Sequence, residues 1–309
     1  MDHPHAVAVQ GVLLLDKPLG LSSSQALQRV RRLLGGVKGG HTGALDPLAS
    51  GMLPLCFGEA TKIASILLES RKCYRAVVRL GQTTRTDDAE GEIVCERPLP
   101  ALAAAEIDAV LAGFMGRIRQ VAPTYSALKQ QGQPLYRRAR RGEPVQAPER
   151  EVEVFALRRI ALAGPLVTIE LECGAGFYVR ALARDLGERL GCGAHLAALR
   201  RLWVAPFQDR PMVTLEALDA QHAQAGGSAL HEHLVPIPQA LAHWPQYRLE
   251  AADSDAIAHG RSVAAPQAAA DSTCLLLDAR GAPLALARVE AGRFRILRGL
   301  RSTAGATAC

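Results

Sequence analysis

Aromatic side chains are scarce, at 4% of 309 residues, and no apolar run is long enough to cross a bilayer. A spanning helix needs about 18 to 20 such residues, which excludes a helical membrane protein. Met1-Asp2-His3-Pro4-His5 has neither the basic stretch nor the apolar core of a secretory signal. The seven cysteines (56, 73, 95, 173, 192, 274 and 309) are odd in number, and no pair has Cys-x-x-Cys spacing. Neither a disulfide framework nor a zinc site is indicated, so no metal is expected. Reduced thiols point to the cytoplasm. No internal repeat is visible.

Hydrophobic residues make up 49% of the chain and charged residues 21%, enough core for about two domains and too little charge for wholesale disorder. Lys and Arg number 36 against 30 Asp and Glu, a net charge of +6. That is a mild preference for polyanions, so the placement of the charge matters more than its sum.

One scarcity is local. Residues 40–54 (Gly-His-Thr-Gly-Ala-Leu-Asp-Pro-Leu-Ala-Ser-Gly-Met-Leu-Pro) hold a single acid, Asp46, in a segment that otherwise carries only His41 as a titratable group. Gly40, Gly43 and Gly51 permit close approach of a bulky ligand, and Pro47 fixes the turn after the acid. The pattern predicts a loop that aims one carboxylate. On spacing alone, a structural Asp that caps a turn is an equal reading.

Around it, residues 12–15 read as a buried strand stopped by Lys17-Pro18. Ser22 to Ser24 offer caps for a helix with Leu27, Val30, Leu33 and Leu34 on one face, ended by Gly35-Gly36. A short helix is expected over 61–68. Residues 73–80 alternate, with Tyr74, Ala76, Val78 and Leu80 on one side and Arg75 and Arg79 on the other, as in a half-buried strand. Residues 86–92 form an acidic turn without EF-hand spacing, hence a solvated turn. A helix is expected over 101–113, strands over 151–163 and 165–173, and a helix over 178–190 stopped by Gly191. A Pro- and Ala-rich stretch near 236–245 reads as a linker. Strands follow at 273–279, 283–290 and 293–300.

Two regions concentrate positive charge. Residues 123–149 hold Lys129, Arg137, Arg138, Arg140 and Arg141 against Glu143 and Glu149, with Tyr125 and Tyr136 interleaved. From Arg288 onward there are five arginines and one acid. Cations take phosphates and rings stack bases, so the first region favours RNA.

Residues 40–54 resemble the catalytic signature of the TruB family of pseudouridine synthases. The likeness continues in order through Gly11 to Pro18, Gly58-Glu59-Ala60-Thr61-Lys62, Tyr74-Arg75, Tyr125 to Lys129, Tyr178-Val179-Arg180 and Leu199-Arg200-Arg201-Leu202, covering roughly residues 10–210. The resemblance implies an α+β fold: a mixed, largely antiparallel sheet flanked by helices. It places the synthase domain at 1–240, with 123–149 as an insertion that grips RNA. The tail, 246–309, resembles a small β-rich PUA-like RNA-binding domain. The activity implied is isomerisation of uridine 55 in the T arm of tRNA, with no cofactor, no obligatory protein partner and a monomeric enzyme.

Site residues carry over one by one. Asp46 is the implied catalytic carboxylate, Arg180 its ion-pair partner and Tyr74 the tyrosine that stacks on the base. Leu199 is the apolar wall under the flipped base, and His41 fills the space the uridine vacates. Tyr178 belongs to the same motif as Arg180. Lys62, Lys129, Arg137 and Arg141 are expected phosphate contacts; Lys17 and Pro18 support the site. The chain departs from the family before Tyr178, where Gly174-Ala175-Gly176-Phe177 replaces a Ser-Lys-Gly-Thr run.

Two other classes compete: an RNA chaperone that needs no chemistry, and a guide-RNA-dependent relative that docks on partner proteins. Asp46 and Arg180 speak for the enzyme, and the basic insertion for direct reading of tRNA. Changing Arg137, Arg138, Arg140 and Arg141 together to Gln should therefore weaken tRNA binding and flatten the salt dependence of log affinity by roughly one to three units. The rate at saturating tRNA should change little. An unchanged slope in a filter-binding titration would show that these arginines only solvate a surface.

Overall fold

The computed structural model describes residues 9–101, 103–125, 129–130, 133–135, 138, 141, 143, 147–269 and 271–300. Strand β1 (Gly11–Lys17) contains the expected apolar run, and Ser22 caps helix α1 (Ser23–Leu33) through a capping box with Gln25. Strands β2 (Gly39–His41) and β3 (Ala49–Phe57) follow. A 3-10 turn, Gly58–Ile63, runs into helix α2 (Ala64–Leu68), so the single short helix expected at 61–68 is split in two. Then come β4 (Lys72–Leu80), β5 (Gln82–Thr84), β6 (Ile93–Glu96), α3 (Ala104–Ala112) and β7 (Gly116–Val121).

A small ribbon, β8 (Lys129–Gln130) and β9 (Gln133–Pro134), precedes β10 (Glu149–Ala163), β11 (Leu166–Cys173), helix α4 (Val179–Arg189) and β12 (Ala194–Val204). After β13 (Val213–Thr214), helix α5 (Leu215–Ala225), β14 (Leu234–Val235) and α6 (Ile237–Ala240), the chain enters its C-terminal part. There lie β15 (Gln246–Arg248), α7 (Ala251–Ala258), β16 (Val263–Ala264), β17 (Thr273–Leu277), β18 (Pro283–Glu290) and β19 (Arg293–Gly299).

Among the described residues the main sheet runs β13-β1-β3-β12-β4-β11-β10-β7, with β14 also on β1 and β2 on β3. Only the β1·β13 and β3·β12 pairs are parallel. The sheet is thus mixed and largely antiparallel, flanked by helices. The period of two along β1 splits it between two cores. Leu13 and Leu15 join Leu53, Leu55, Ala76 and Val78 beneath helices α1, α3, α4 and α5. Val12 and Leu14 join Met52 and Cys56 on the other face, covered by Leu275, Leu277, Leu286 and Leu300.

The C-terminal part forms a separate five-stranded sheet, β15-β17-β18-β19-β16, with its own core around Leu276 and Phe294. Its three central strands lie at the positions expected from the sequence, 273–279, 283–290 and 293–300. Two short strands, β15 and β16, were not expected. The stretch read as a linker is packed: Ile237, Ala240 and Leu241 are buried in the core that joins the two sheets. Alanine and proline here mark tight packing around α6, not a free tether.

Strand β3 begins inside the segment expected to be a loop, so only residues 42–48 connect β2 to β3. Where β3 runs parallel to β12, Gly51 sits opposite Arg201. Its φ is +99°, and a Cβ there would lie 2.1 Å from the Arg201 carbonyl oxygen. Both the left-handed angle and the contact demand glycine. Gly51→Ala should lower stability by about 3 kcal/mol or more, read from the urea midpoint. An unshifted midpoint would mean that β3 and β12 separate at no cost.

Candidate active site

The 42–48 loop is fixed from below before any ligand is considered. Ser23 at the start of α1 donates its hydroxyl to the Leu45 carbonyl (3.0 Å) and accepts from the Leu45 N–H (2.7 Å). The Leu45 side chain is buried in the main core. Gly20 N–H donates to Pro47 O at 2.8 Å, and Ala49 N–H to Asp46 O at 3.0 Å. The backbone on both sides of Asp46 is therefore pinned, which leaves its side chain, 42% exposed, facing outward.

Arg201 braces the same loop from within the sheet. It is 1% exposed, donates through Nε to Met52 O at 2.6 Å and through Nη2 to Gly43 O at 3.1 Å. Its guanidinium lies 6.0 Å from the centre of the Tyr74 ring, across the β12·β4 pair. Tyr74 is buried, and that burial pushes its phenol up, with Arg201 acting in the opposite direction. Leu199 is half-buried on β12, opposite Ala76 on one side and Ala49 on the other. His41 ends β2. Burial, and after it the charge of Arg201, pull its imidazole down, so the ring is neutral at pH 7. Its Nδ1 and the Thr42 hydroxyl are buried without a hydrogen-bond partner among the described residues.

Arg180 enters from the first turn of α4. A cation there opposes the helix dipole, so its position needs compensation from acids. Nε lies 3.1 Å from Asp46 Oδ2, and Nη1 lies 3.6 Å from Asp88 Oδ2. Nη1 also donates to Thr86 O (3.2 Å) and Nη2 to Tyr125 O (3.1 Å). The side chain is 8% exposed. Tyr178 sits just before the helix, half-buried. The buried Gln120 holds its backbone on both sides, accepting from Tyr178 N–H at 2.9 Å and donating to Tyr178 O at 3.1 Å.

The acidic turn at 86–92 is solvated only in part: Glu90 and Glu92 are exposed as expected, whereas Asp87 is half-buried and Asp88 is buried. The Asp88 side chain is only 4% exposed, and its carboxylate accepts from the Thr86 hydroxyl and from Glu90 N–H. Burial overrides composition here, because two arginines of α4 need acidic partners. Burial pushes the Glu90 carboxyl up, and the charges of Asp88 and Asp46 push it in the same direction.

Lys17 is fully buried beneath the site. Its ammonium donates to Pro18 O (2.8 Å) and Leu21 O (2.6 Å), so it supports the turn that carries Gly20. Burial lowers its pKa to about 8, with Asp46 and Glu90 opposing that shift. Lys62 ties the two sheets together, donating to Glu59 at 2.6 Å and to Gly299 O at 2.9 Å. Lys129 lies on β8. Arg141 is exposed, 3.6 Å from Glu143. Arg137, with Tyr136 and Arg140, lies outside the described residues.

The structure thus pairs Asp46 with Arg180, sets Leu199 opposite Ala49 at the start of β3, and brings Tyr74 and Lys17 within reach of the charge of Asp46 and His41 within reach of that of Arg201. Asp88, Gln120, Ser23 and Arg201 complete the arrangement without having been assigned from the sequence. Arg201 stood inside a recognised motif, and the only signal for Asp88 was a density of acids.

Residues 31–179 match the model for the TruB family pseudouridylate synthase N-terminal domain, and residues 180–242 match that for the tRNA pseudouridylate synthase B C-terminal domain. The chain is 52% identical over 300 residues to the tRNA pseudouridine synthase B of Xanthomonas campestris pv. campestris (strain B100), covering 96% of each. The chain belongs to the TruB family of pseudouridylate synthases. Its similarity to the tRNA pseudouridine synthase B of Xylella fastidiosa (strain Temecula1) is 58% identity over 243 residues, 79% of this chain and 80% of the relative. Among solved structures, that of a Cbf5-Nop10-Gar1 complex superposes with a TM-score of 0.73 at 24% identity, covering 97% of this chain and 87% of the other. At that identity the likeness concerns the fold. The chain is accordingly an enzyme, a pseudouridine synthase.

The Lys17 ammonium titrates lower in the folded chain than in the unfolded one, where 10.5 applies. The unfolded chain then holds more protons between about pH 8 and 10.5, so this group's contribution to stability rises with pH across that window. Its cost is fully present below pH 8. Lys17→Met should remove that rise. The stability of the variant relative to wild type should fall by as much as about 3 kcal/mol between pH 7 and pH 10.5. A pH-independent difference in urea denaturation would show that the buried ammonium carries no such cost.

Proposed function

We propose that this enzyme isomerises uridine 55 in the T arm of tRNA to pseudouridine, with the base flipped from its stack and Asp46 as the reacting carboxylate. Relatives named tRNA pseudouridine synthase B support tRNA as the substrate. The observation that carries the reading is the Arg180–Asp46 pair at 3.1 Å, in which a buried cation meets a carboxylate that remains open to a ligand. The guanidinium fixes the carboxylate's orientation. Catalysis of a base inside a duplex or a folded loop requires that the base leave its stack. Tyr74 and Leu199 offer an aromatic face and an apolar wall on the adjoining strands.

The reaction breaks the glycosidic N1–C1′ bond, turns the base and forms a C5–C1′ bond. C5 loses a proton and N1 gains one. No electrons are exchanged and no group is transferred to a second molecule, so the stoichiometry calls for no cofactor. Residues 1–240 form the synthase unit in this reading, with 123–149 gripping RNA, and 246–309 act as a PUA-like RNA-binding unit. The arginines on β18 and β19 (Arg288, Arg293, Arg295, Arg298) suit that role. The enzyme works alone in the cytoplasm, as a monomer.

Asp46→Asn keeps the volume of the side chain and removes its charge. It should abolish pseudouridine formation while largely sparing tRNA binding. Arg180→Met should lose activity nearly as severely, since it removes the ion pair and leaves Asp46 and Asp88 without their common partner. Mass spectrometry of tRNA incubated with each variant is the test. Turnover by Asp46→Asn above a few per cent of wild type would remove this residue from the chemistry.

A further inference from the structure

Arg180 is not alone on its face of α4. Arg184 stands four residues on, one helical turn away. Its Nη1 lies 3.2 Å from Asp87 Oδ2, its Nη2 donates to Val121 O at 2.9 Å, and its Nε donates to Asp185 Oδ1 at 2.8 Å. The two guanidiniums therefore grip the same two segments. Asp87 and Asp88 are adjacent in the acidic turn. Val121 and Tyr125, whose carbonyls accept from Arg184 and Arg180, are four residues apart at the end of β7 and beyond. That second segment leads directly into the basic insertion.

Two features raise this arrangement above a surface ion pair. The side chains of Arg184 and Asp87 are 25% and 19% exposed, so their pairing is sheltered from solvent. Asp87 also has φ +61°, a left-handed conformation that a non-glycine residue adopts at a cost. The turn keeps that conformation while its carboxylate faces Arg184. Among the described residues no hydrogen bond or ion pair joins Arg184 to Asp46.

We propose that Arg184 is a positioning residue for pseudouridylation: with Arg180 it locks the root of the insertion and the acidic turn into one frame, which presents Arg180 to Asp46. RNA held by the insertion would thereby bear on the catalytic pair through Val121 and Tyr125. The proposal rests on Asp46 as the reacting carboxylate. It assigns Arg184 an effect on the rate that the Asp46–Arg180 pair alone does not require.

The test is single-turnover pseudouridylation of full-length tRNA at saturating enzyme, with tRNA affinity and thermal midpoint measured in parallel. Arg184→Met should slow the bound-state rate about ten-fold, as expected for a small misplacement of catalytic groups, with Kd within about two-fold of wild type. Arg184→Lys keeps a cation toward Asp87 and should recover to within about three-fold of the wild-type rate. Arg184→Met combined with Asp87→Asn should be no slower than Arg184→Met alone, because the two groups act as one unit. A folded Arg184→Met enzyme at wild-type rate overturns the proposal, as does a loss that appears only in Kd. If Arg184→Met does not fold, Asp87→Asn carries the same ten-fold expectation, and a folded Asp87→Asn at full rate overturns it. Asp46→Asn in the same assay keeps the two ideas apart: turnover there sinks the role of Asp46, whatever Arg184 does.

Discussion

The burial of one guanidinium organises this molecule. Withdrawing a charge from water costs several kcal/mol unless its donors are met, and Arg180 is 8% exposed. Its partners come from three segments far apart in sequence: Asp46 from the 42–48 loop, Thr86 and Asp88 from the acidic turn, and Tyr125 from the entrance to the insertion. None of these would be held by local propensity. The 42–48 loop has no regular structure, and the acidic turn carries like charges side by side. The cation gives them a common reason to converge, and the sheet beneath gives the convergence a fixed place.

The other buried cations act in a different way. Lys17 donates to the carbonyls of Pro18 and Leu21, Lys72 to those of Leu68 and Ser70, and Arg201 to those of Gly43 and Met52. Each satisfies backbone oxygens at a turn or strand end that would otherwise be left unpaired, which costs as much as a lost hydrogen bond. Their mutual repulsion is visible in the lysines, both drawn down to about 8 by burial with Arg201 contributing. Three buried cations therefore lie below the 42–48 loop, and each braces a turn or strand end.

Much of this was legible in the sequence. The alternation at 73–80 gave β4, with Tyr74, Ala76 and Val78 buried and Arg75 exposed. The serines at 22–24 gave the cap of α1, and the tail gave its three central strands. The resemblance to the TruB family implied Asp46 and Arg180 as partners, where spacing alone left Asp46 as readily a structural cap. What composition could not show was direction. Seven residues with four acids look solvated, yet Asp88 is buried because its counter-charge arrives from residue 180. Proline and alanine near 236–245 look like a tether, yet Ile237, Ala240 and Leu241 complete a core with residues of the C-terminal sheet. Both readings failed for one reason. Burial of a short segment is decided by a distant partner, and a local window contains no record of it.

The same distinction separates the proposed chemistry from the proposed grip. Asp46 is set by contacts within a few ångströms: Ser23 through Leu45, Gly20 through Pro47, Arg180 through its own carboxylate. These need a rigid sheet, and Gly51 shows how closely β3 and β12 must approach to supply it. The entrance to the basic insertion is held by Gln120, Val121 and Tyr125 against Tyr178 and the first turns of α4. On the proposed reading, a segment that grips a large, irregular RNA must adapt, whereas a reacting carboxylate must not move. Both roots meet the start of one helix: Arg180 of α4 holds Asp46 and Tyr125, and Arg184, one turn on, holds Val121.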